Sequence, residues 1–405
     1  MKIVRITHLN KECVRGYISK IAGFSGKSYN EQKEILDYQA FEWSDYWSNA
    51  MRPFGYEFME VISNVEPMQR AWARENGLLK PDSMNLEEIA FTQTKKFAPE
   101  IVWYEDSSEE LLKRIRSEIP SIRLVLGWTG SAIPRTRIWA QIDLVLSCAQ
   151  ESVNTLKSIG CRAEQLHHGF DPRVIGRLKP GPKTIDFSFI GQLLRSDQFH
   201  LYRDQLLEKI ASELDISIFS PSANYGWMET GKANLMGRCY DVFNTLKSLG
   251  FPETTLENLP VIGRAIQWKY RPVSPVNPKL KPFLFPPVYG LEMFQVLKNS
   301  KITLNIHADS SPEFASNMRL FETTGVGTCL VTDWKRNIHQ LFEPDKEVVV
   351  YKSTDECVEK MKWLLDHDKE REEIGSAGQK RTLESHTYPR RAEQLDSIIT
   401  RQLKK

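Results

Sequence analysis

Short apolar runs alternate with amphipathic stretches through the first part of this chain. KIVRI at 2–6, GYEFMEVI at 55–62, IVWYED at 101–106, IRLVLGWTG at 122–130 and IDLVLSCAQ at 142–150 each open into small or polar residues. Runs of this kind are expected of strands buried on both faces of a parallel sheet. Helical spacing over 86–97 and over 151–159, the latter closed by Gly160, supplies crossovers, and an aromatic-rich stretch predicts a helix over 29–50. Alternation of this type in a long chain favours parallel sheets with helices on both faces.

The pattern breaks once and then restarts. After Asp171-Pro172, residues 177–183 hold Lys, Pro and Gly with little apolar content, which marks a linker. An apolar strand at 185–190 ends at Gly191, and a helix over 199–214 and a strand over 216–219 follow. Between 220 and 287 alternation fails: Trp227, Trp268, Tyr270 and a proline-rich run read as a helical insertion over about 221–286, with helices near 238–249 and 256–268. From Tyr289 the alternation resumes. Residues 301–351 read as strand, polar loop with carboxylates, short helix, Gly turn, strand, helix and strand, and three helices over 355–366, 371–384 and 389–403 end the chain. The expected fold class is therefore α/β, with two Rossmann-like domains at 1–176 and 184–388 facing a cleft. A last helix within 389–405 would cross back toward the first domain.

Composition narrows the partners. A chain of 405 residues is too long for one ordinary core and suits two. Its 54 Lys and Arg against 52 Asp and Glu create no global field for nucleic acid. The N-terminus turns polar too soon for a signal peptide, and no stretch has spanning length. Six cysteines without a C-x-x-C pair fit reduced thiols, hence a cytoplasmic protein. Arg390, Arg391, Arg401, Lys404 and Lys405 are compatible with peripheral contact at the inner face of a membrane, although dispersed charges on a last helix are usually solvated.

Four segments, in order, carry a resemblance: His168-Gly169-Phe170-Asp171-Pro172; Phe187-Ser188-Phe189-Ile190-Gly191; Asn317-Met318-Arg319-Leu320-Phe321-Glu322 with Gly325 and Gly327; and Leu341-Phe342-Glu343-Pro344 with Glu347-Val348. With His386-Thr387-Tyr388, they resemble the GT-B glycosyltransferases, group 1 type, related to spore-maturation glycosyltransferases. The resemblance implies a nucleotide-diphosphate sugar as donor substrate, no cofactor, no metal, and a glycan, glycolipid or protein acceptor on the first domain.

Such a donor needs anion partners, a carboxylate for the ribose diol and a platform for the base. Gly191 at a strand end would let backbone N–H groups approach phosphate, and Arg195 would stabilise the departing diphosphate. Arg319 is the second cation for that role, with Asn317 and Met318 beside it. Glu322 would accept from two ribose hydroxyls, where the resemblance puts the ribose, and Tyr289-Gly290 fall where these folds line the base pocket. Glu313 matches the first of a paired-Glu motif, but its spacing is one residue too long. For the acceptor, Asp106 at the end of IVWYED is the candidate general base. His8 is an outside candidate, and the next strand carries Gly127-Trp128-Thr129-Gly130 where related retaining enzymes have a His.

Bland alternatives stand beside these roles. Arg319 and Glu322 at i,i+3 could form only a surface ion pair. Gly191 could simply end a strand, Arg195 could be a solvated loop charge, and His168 a junction histidine. Asp366-His367-Asp368 has a D-x-D form but sits at a helix end, and reads as solvated. A nucleotide-sugar epimerase or hydrolase, or a non-catalytic nucleotide-sugar-binding protein, remains open at this point.

Overall fold

The computed structural model describes residues 1–130, 133–134, 136–195 and 201–404. Its described strands form two six-stranded sheets. The first contains β1 (Lys2–Thr7), β2 (Glu57–Ile62), β3 (Ile101–Tyr104), β4 (Leu124–Thr129), β5 (Leu144–Ser147) and β6 (Ala163–Gln165), ordered β2-β1-β3-β4-β5-β6. The second contains β7 (Ile185–Ile190), β8 (Ile216–Phe219), β9 (Leu284–Phe285), β10 (Ser300–Asn305), β11 (Cys329–Asp333) and β12 (Val349–Tyr351), ordered β12-β11-β10-β7-β8-β9. Every pairing is parallel. Strand order reverses beside β1 in one sheet and beside β7 in the other. Crevices at the carboxyl ends of such strands are where open α/β sheets bind ligands.

An apolar seam joins the sheets. Ile3, Trp47, Trp103 and Leu126 against the first sheet are continuous with Phe170, Phe294, Phe321, Tyr388 and Leu395. The buried Tyr388 ring lies 5.0 Å from Tyr46 and 5.2 Å from Trp47. Phe170 donates its N–H to the His386 carbonyl at 2.9 Å and accepts from Tyr388 N–H at 3.0 Å. The helix Tyr388–Leu403, capped by the Thr387 side chain, packs on Tyr46–Met51 of the first half, and the Tyr56 hydroxyl donates to Asp396 at 2.8 Å. Each ring buried in this seam contributes about 1.5–3 kcal/mol.

Two expected helices differ. The stretch 29–50 is two helices, Tyr29–Tyr38 and Tyr46–Met51. Between them Ala40, Glu42 and Ser44 have φ of 56°, 50° and 33°, an unfavourable left-handed backbone for side-chain-bearing residues. A tertiary contact replaces the helix here: the Gln39 carbonyl accepts from Leu291 N–H at 2.8 Å, and Gly290 lies so close that a Cβ would stand 2.2 Å from that carbonyl. In the insertion, the helix expected near 238–249 is Trp227–Ser248, starting three turns earlier, and the one expected near 256–268 is a short helix, Glu253–Leu256, and a 3-10 segment, Ile262–Gln267. The first three turns of Trp227–Ser248 are mostly exposed and so lack the apolar periodicity that marks a helix. Leu284–Phe285, expected within the insertion, pairs with Ile218–Phe219 as an edge strand. The helix expected over 199–214 is Leu201–Ala211; residues 199 and 200 lie outside the described residues.

Gly325 tests the seam. A Cβ there would lie 2.4 Å from the Phe170 ring, so Gly325→Ala is expected to cost about 1–3 kcal/mol in urea unfolding. Phe170→Leu in the same chain should recover part of that loss.

Candidate functional site

A cavity of about 500 Å³ opens at the carboxyl ends of the two sheets, within the range of small-molecule sites. One wall comes from the first half: Asn10 and Cys13 after β1, Phe41 and Glu42 from the strained break, Gly130 after β4, and His168. The other comes from the second half: Phe189 to Gly191 at the end of β7, Tyr289 and Gly290, Asn305 and Ile306 at the end of β10, and Asn317, Met318, Arg319 and Glu322. Glu151, in the first turn of the helix Gln150–Ser158, ties the walls together. Its carboxylate accepts from Glu313 N–H at 3.0 Å, Phe314 N–H at 2.9 Å and the Ser311 hydroxyl at 3.2 Å.

Glu322 and Arg319 share one face of the helix Arg319–Gly325, with Arg319 Nη1 2.8 Å from Glu322 Oε2. The pair is not a surface one: the two side chains are 16% and 9% exposed. Burial pushes the Glu322 carboxyl above its ordinary range, and Arg319 pulls back. Arg319 Nε is buried without a hydrogen-bond partner among the described residues. So is Asn317 Oδ1, while Asn317 Nδ2 donates to Asn305 Oδ1 at 2.6 Å. Buried polar atoms of this kind normally have partners, and these two, in a cavity wall, are placed where a polar ligand could supply them. Tyr289 occupies the N-cap position of the helix Gly290–Asn299, and Gly290 has φ of 54°.

Three expected site residues have other partners in the structure. Gly191 lines the cavity, but its N–H donates to the Phe219 carbonyl at 3.1 Å and is not available to phosphate. Arg195 does not line the cavity; its Nε donates to Asp204 at 3.2 Å and its Nη1 to the Ser274 and Val276 carbonyls at 3.0 and 3.3 Å, holding the insertion against the helix Leu201–Ala211. Asp106 is likewise absent from the lining. It accepts from the Ser63 hydroxyl at 2.8 Å and from Ser108 N–H at 3.1 Å, bracing the start of the following helix.

Two charged lining residues escaped the sequence reading. Arg203 donates to the Gln192 carbonyl and to the Ile306 carbonyl, both at 2.9 Å, bridging the loops after β7 and β10. A signal existed: Arg203 falls on the apolar stripe of its helix with Leu206, Leu207 and Ile210, where a cation must have a reason to be buried. Glu42 lies on the opposite wall, its Oε1 accepting from Asn10 N–H at 2.9 Å. Burial pushes its carboxyl above the ordinary value, against the Asn10 N–H, His8 and Arg5. The presumption of a continuous helix hid it.

The remaining candidates have structural partners. His168 is buried between Trp43 and Trp128 at 5.7 and 5.5 Å; burial, with His167 and Arg391, lowers it to about 3, so the ring is neutral. His8 is exposed outside the cavity lining. Glu313 pairs with Arg336 at 3.1 Å, also outside the lining. Asp368 pairs with Arg371, and the His367 ring stacks on Trp363. Among the described residues no group of three or more His, Cys, Asp or Glu could hold a metal ion. Arg391 is buried against the His168 carbonyl and His386, Arg390 pairs with Glu393 and Arg401 with Glu164; Lys405 lies outside the described residues.

Breaking the Arg319–Glu322 pair isolates a buried carboxylate. Arg319→Met is expected to destabilise the fold by about 3–5 kcal/mol, and Arg319→Met/Glu322→Leu to recover most of it. A carboxyl raised in the fold contributes stability below its unfolded pKa and loses it as pH rises through the folded value. Melting curves should therefore show a larger deficit for Arg319→Met at alkaline than at mildly acidic pH.

Residues 242–397 match a family model described as glycosyl transferase-like. None of the curated proteins searched matches the chain. Solved structures similar over nearly full length include HepE from Anabaena in complex with UDP-glucose, with TM-score 0.54, 10% identity, and 99% of each chain covered. Sucrose-phosphate synthase from Thermosynechococcus elongatus follows with TM-score 0.52, 8% identity, and 99% of each chain covered. AviGT4, a glycosyltransferase involved in avilamycin A biosynthesis, has TM-score 0.52 and 12% identity, covering 100% of this chain and 98% of its own. At these identities the likeness is one of architecture: two parallel sheets flanked by helices and facing a cleft, the GT-B fold.

Proposed function

We propose that this protein is a glycosyltransferase that moves a sugar from a nucleoside-diphosphate sugar, held by the second sheet, to a hydroxyl acceptor presented by the first. The observation that carries this reading is a single cavity with a buried carboxylate and two arginines, Glu322, Arg319 and Arg203, on one wall and a second carboxylate, Glu42, on the other. The glycosyl transferase-like match over 242–397 supports it from the sequence side.

In this mechanism Glu322 accepts from the ribose diol, and Tyr289-Gly290 border the base. Arg319 and Arg203 stabilise the charge that builds on the diphosphate as its bond to the anomeric carbon breaks. These fixed cations take the role a divalent ion would otherwise serve, so we assign a metal-independent reaction. Glu42 takes the proton of the acceptor hydroxyl as its oxygen bonds to the anomeric carbon. Its carboxyl is raised above the ordinary carboxylate value, the direction a general base needs. A base on the wall opposite the leaving group fits displacement with inversion. The setting we assign is assembly of bacterial surface polysaccharide or glycoprotein in the cytoplasm, on a glycan, glycolipid or protein acceptor. The free state of all six cysteines is compatible with a reducing compartment. No helix among the described residues is long and apolar enough to cross a membrane.

Thermal shift with a panel of nucleoside diphosphates and their sugars should identify one base that raises the melting temperature. Glu322→Ala and Arg203→Ala should abolish that shift and Arg195→Ala retain it; no shift with any nucleotide overturns the donor site. Glu42→Gln should lower turnover about 10²–10⁴-fold with little change in melting temperature, since the side chain is exposed, and should erase the acidic limb of the rate profile. Asp106→Asn should stay near the parent rate, and chelation by EDTA should leave turnover unchanged. Free or rearranged sugar formed without acceptor would instead indicate a hydrolase or epimerase.

A further inference from the structure

Of the twenty-one large hydrophobic side chains exposed among the described residues, eleven lie between Tyr225 and Phe285. Such a concentration on a chain with two well-filled cores is unusual for a surface that meets only water. The helix Trp227–Ser248 organises it. Met228, Leu235, Val242 and the C-cap Leu249 recur every seven residues, which puts them on one slowly drifting stripe, and they are 63%, 57%, 44% and 70% exposed. Trp227, 81% exposed, stands at the start of the same helix beside exposed Tyr225.

Charge selects what covers this face. Residues 221–286 contain eight Lys and Arg against four Asp and Glu, in a chain otherwise near balance. Three of the four acids are engaged locally: Asp241 with Arg271 at 2.8 Å, Glu253 with Lys247, and Glu229 with the Gly226 N–H at 3.0 Å. Lys232 and Arg238, on the exposed helix, form no ion pair with the described residues. The uncompensated charge is therefore positive and interleaved with aliphatic and aromatic side chains. The insertion leaves the sheet at the carboxyl end of β8, the same end on which the cavity opens.

We infer that this face docks on an anionic phospholipid surface, with Trp227, Met228 and Leu235 entering the headgroup boundary and Lys232 and Arg238 meeting lipid phosphates. An exposed apolar stripe with Trp at one end and Lys and Arg beside it is the pattern of an interfacial helix, and each basic residue near an anionic surface adds attraction that salt screens. The terminal helix is the weaker surface, because Arg390, Arg391 and Arg401 are bound within the chain.

Co-sedimentation of the full chain with vesicles tests this independently of any sugar transfer. The protein should bind vesicles of equimolar phosphatidylcholine and phosphatidylglycerol, bind phosphatidylcholine alone weakly, and release with salt. Lys232→Glu/Arg238→Glu should weaken partition at least about tenfold, as should Trp227→Ser/Leu235→Ser, with unchanged melting temperatures because all four side chains are exposed. Lys404→Glu should bind like the parent. Absence of binding, or binding indifferent to both double variants, overturns the inference. A dimer in light scattering that Trp227→Ser/Leu235→Ser dissociates overturns it in favour of a second copy on this face.

Discussion

The aromatic seam between the sheets is the constraint on which the rest depends. A parallel sheet binds ligands at its carboxyl edge, and two such sheets make one cavity only if those edges face each other. Phe170, Tyr388 and Phe321 hold them so, with Gly325 leaving room for the Phe170 ring and Thr387 starting the helix that returns to the first half. The Gln39–Leu291 and Glu151–Phe314 contacts then fix the cavity mouth from both sides. Contacts made by backbone carbonyls and one carboxylate can reform in another register far more readily than a packed core. Opening of the cleft would therefore concentrate at the mouth and leave the seam closed.

Within that frame the cavity wall carries features that cost stability. The Glu322 carboxyl, buried, and the Glu42 carboxyl, exposed, are both raised above their ordinary range, Arg319 Nε and Asn317 Oδ1 lack partners among the described residues, and Ala40, Glu42 and Ser44 hold a left-handed backbone. None of these helps the fold, and all lie on or beside one cavity. Strain and unsatisfied polarity beside a cavity are what a site shaped for a ligand would carry.

Most of the architecture was legible from the sequence because buried parallel strands announce themselves. Ile185–Ile190 and Ile216–Phe219 appear at the expected bounds, and the order of elements from Lys301 to Tyr351 is the one read from the chain. What failed did so where tertiary contacts override local pattern. The break at 39–45 contains no Gly or Pro; it exists because a residue far along the chain, Leu291, takes the Gln39 carbonyl. That break carries Glu42, so the presumed helix kept a cavity-lining carboxylate out of the sequence reading. Arg195 and Arg203 lie eight positions apart, and only their partners separate a cation bracing the insertion from one in the cavity wall. The long helix Trp227–Ser248 was half invisible because a face made for something outside the chain lacks the periodicity of a face made for its own core.

The most direct test of the central claim is a crystal structure with the nucleoside diphosphate bound. The account predicts ribose hydroxyls within about 3 Å of the Glu322 carboxylate and diphosphate oxygens at Arg319 and Arg203. The sugar-facing side of the diphosphate should open toward Glu42. A nucleotide seated elsewhere, or one in this cavity with its ribose turned away from Glu322, would contradict it.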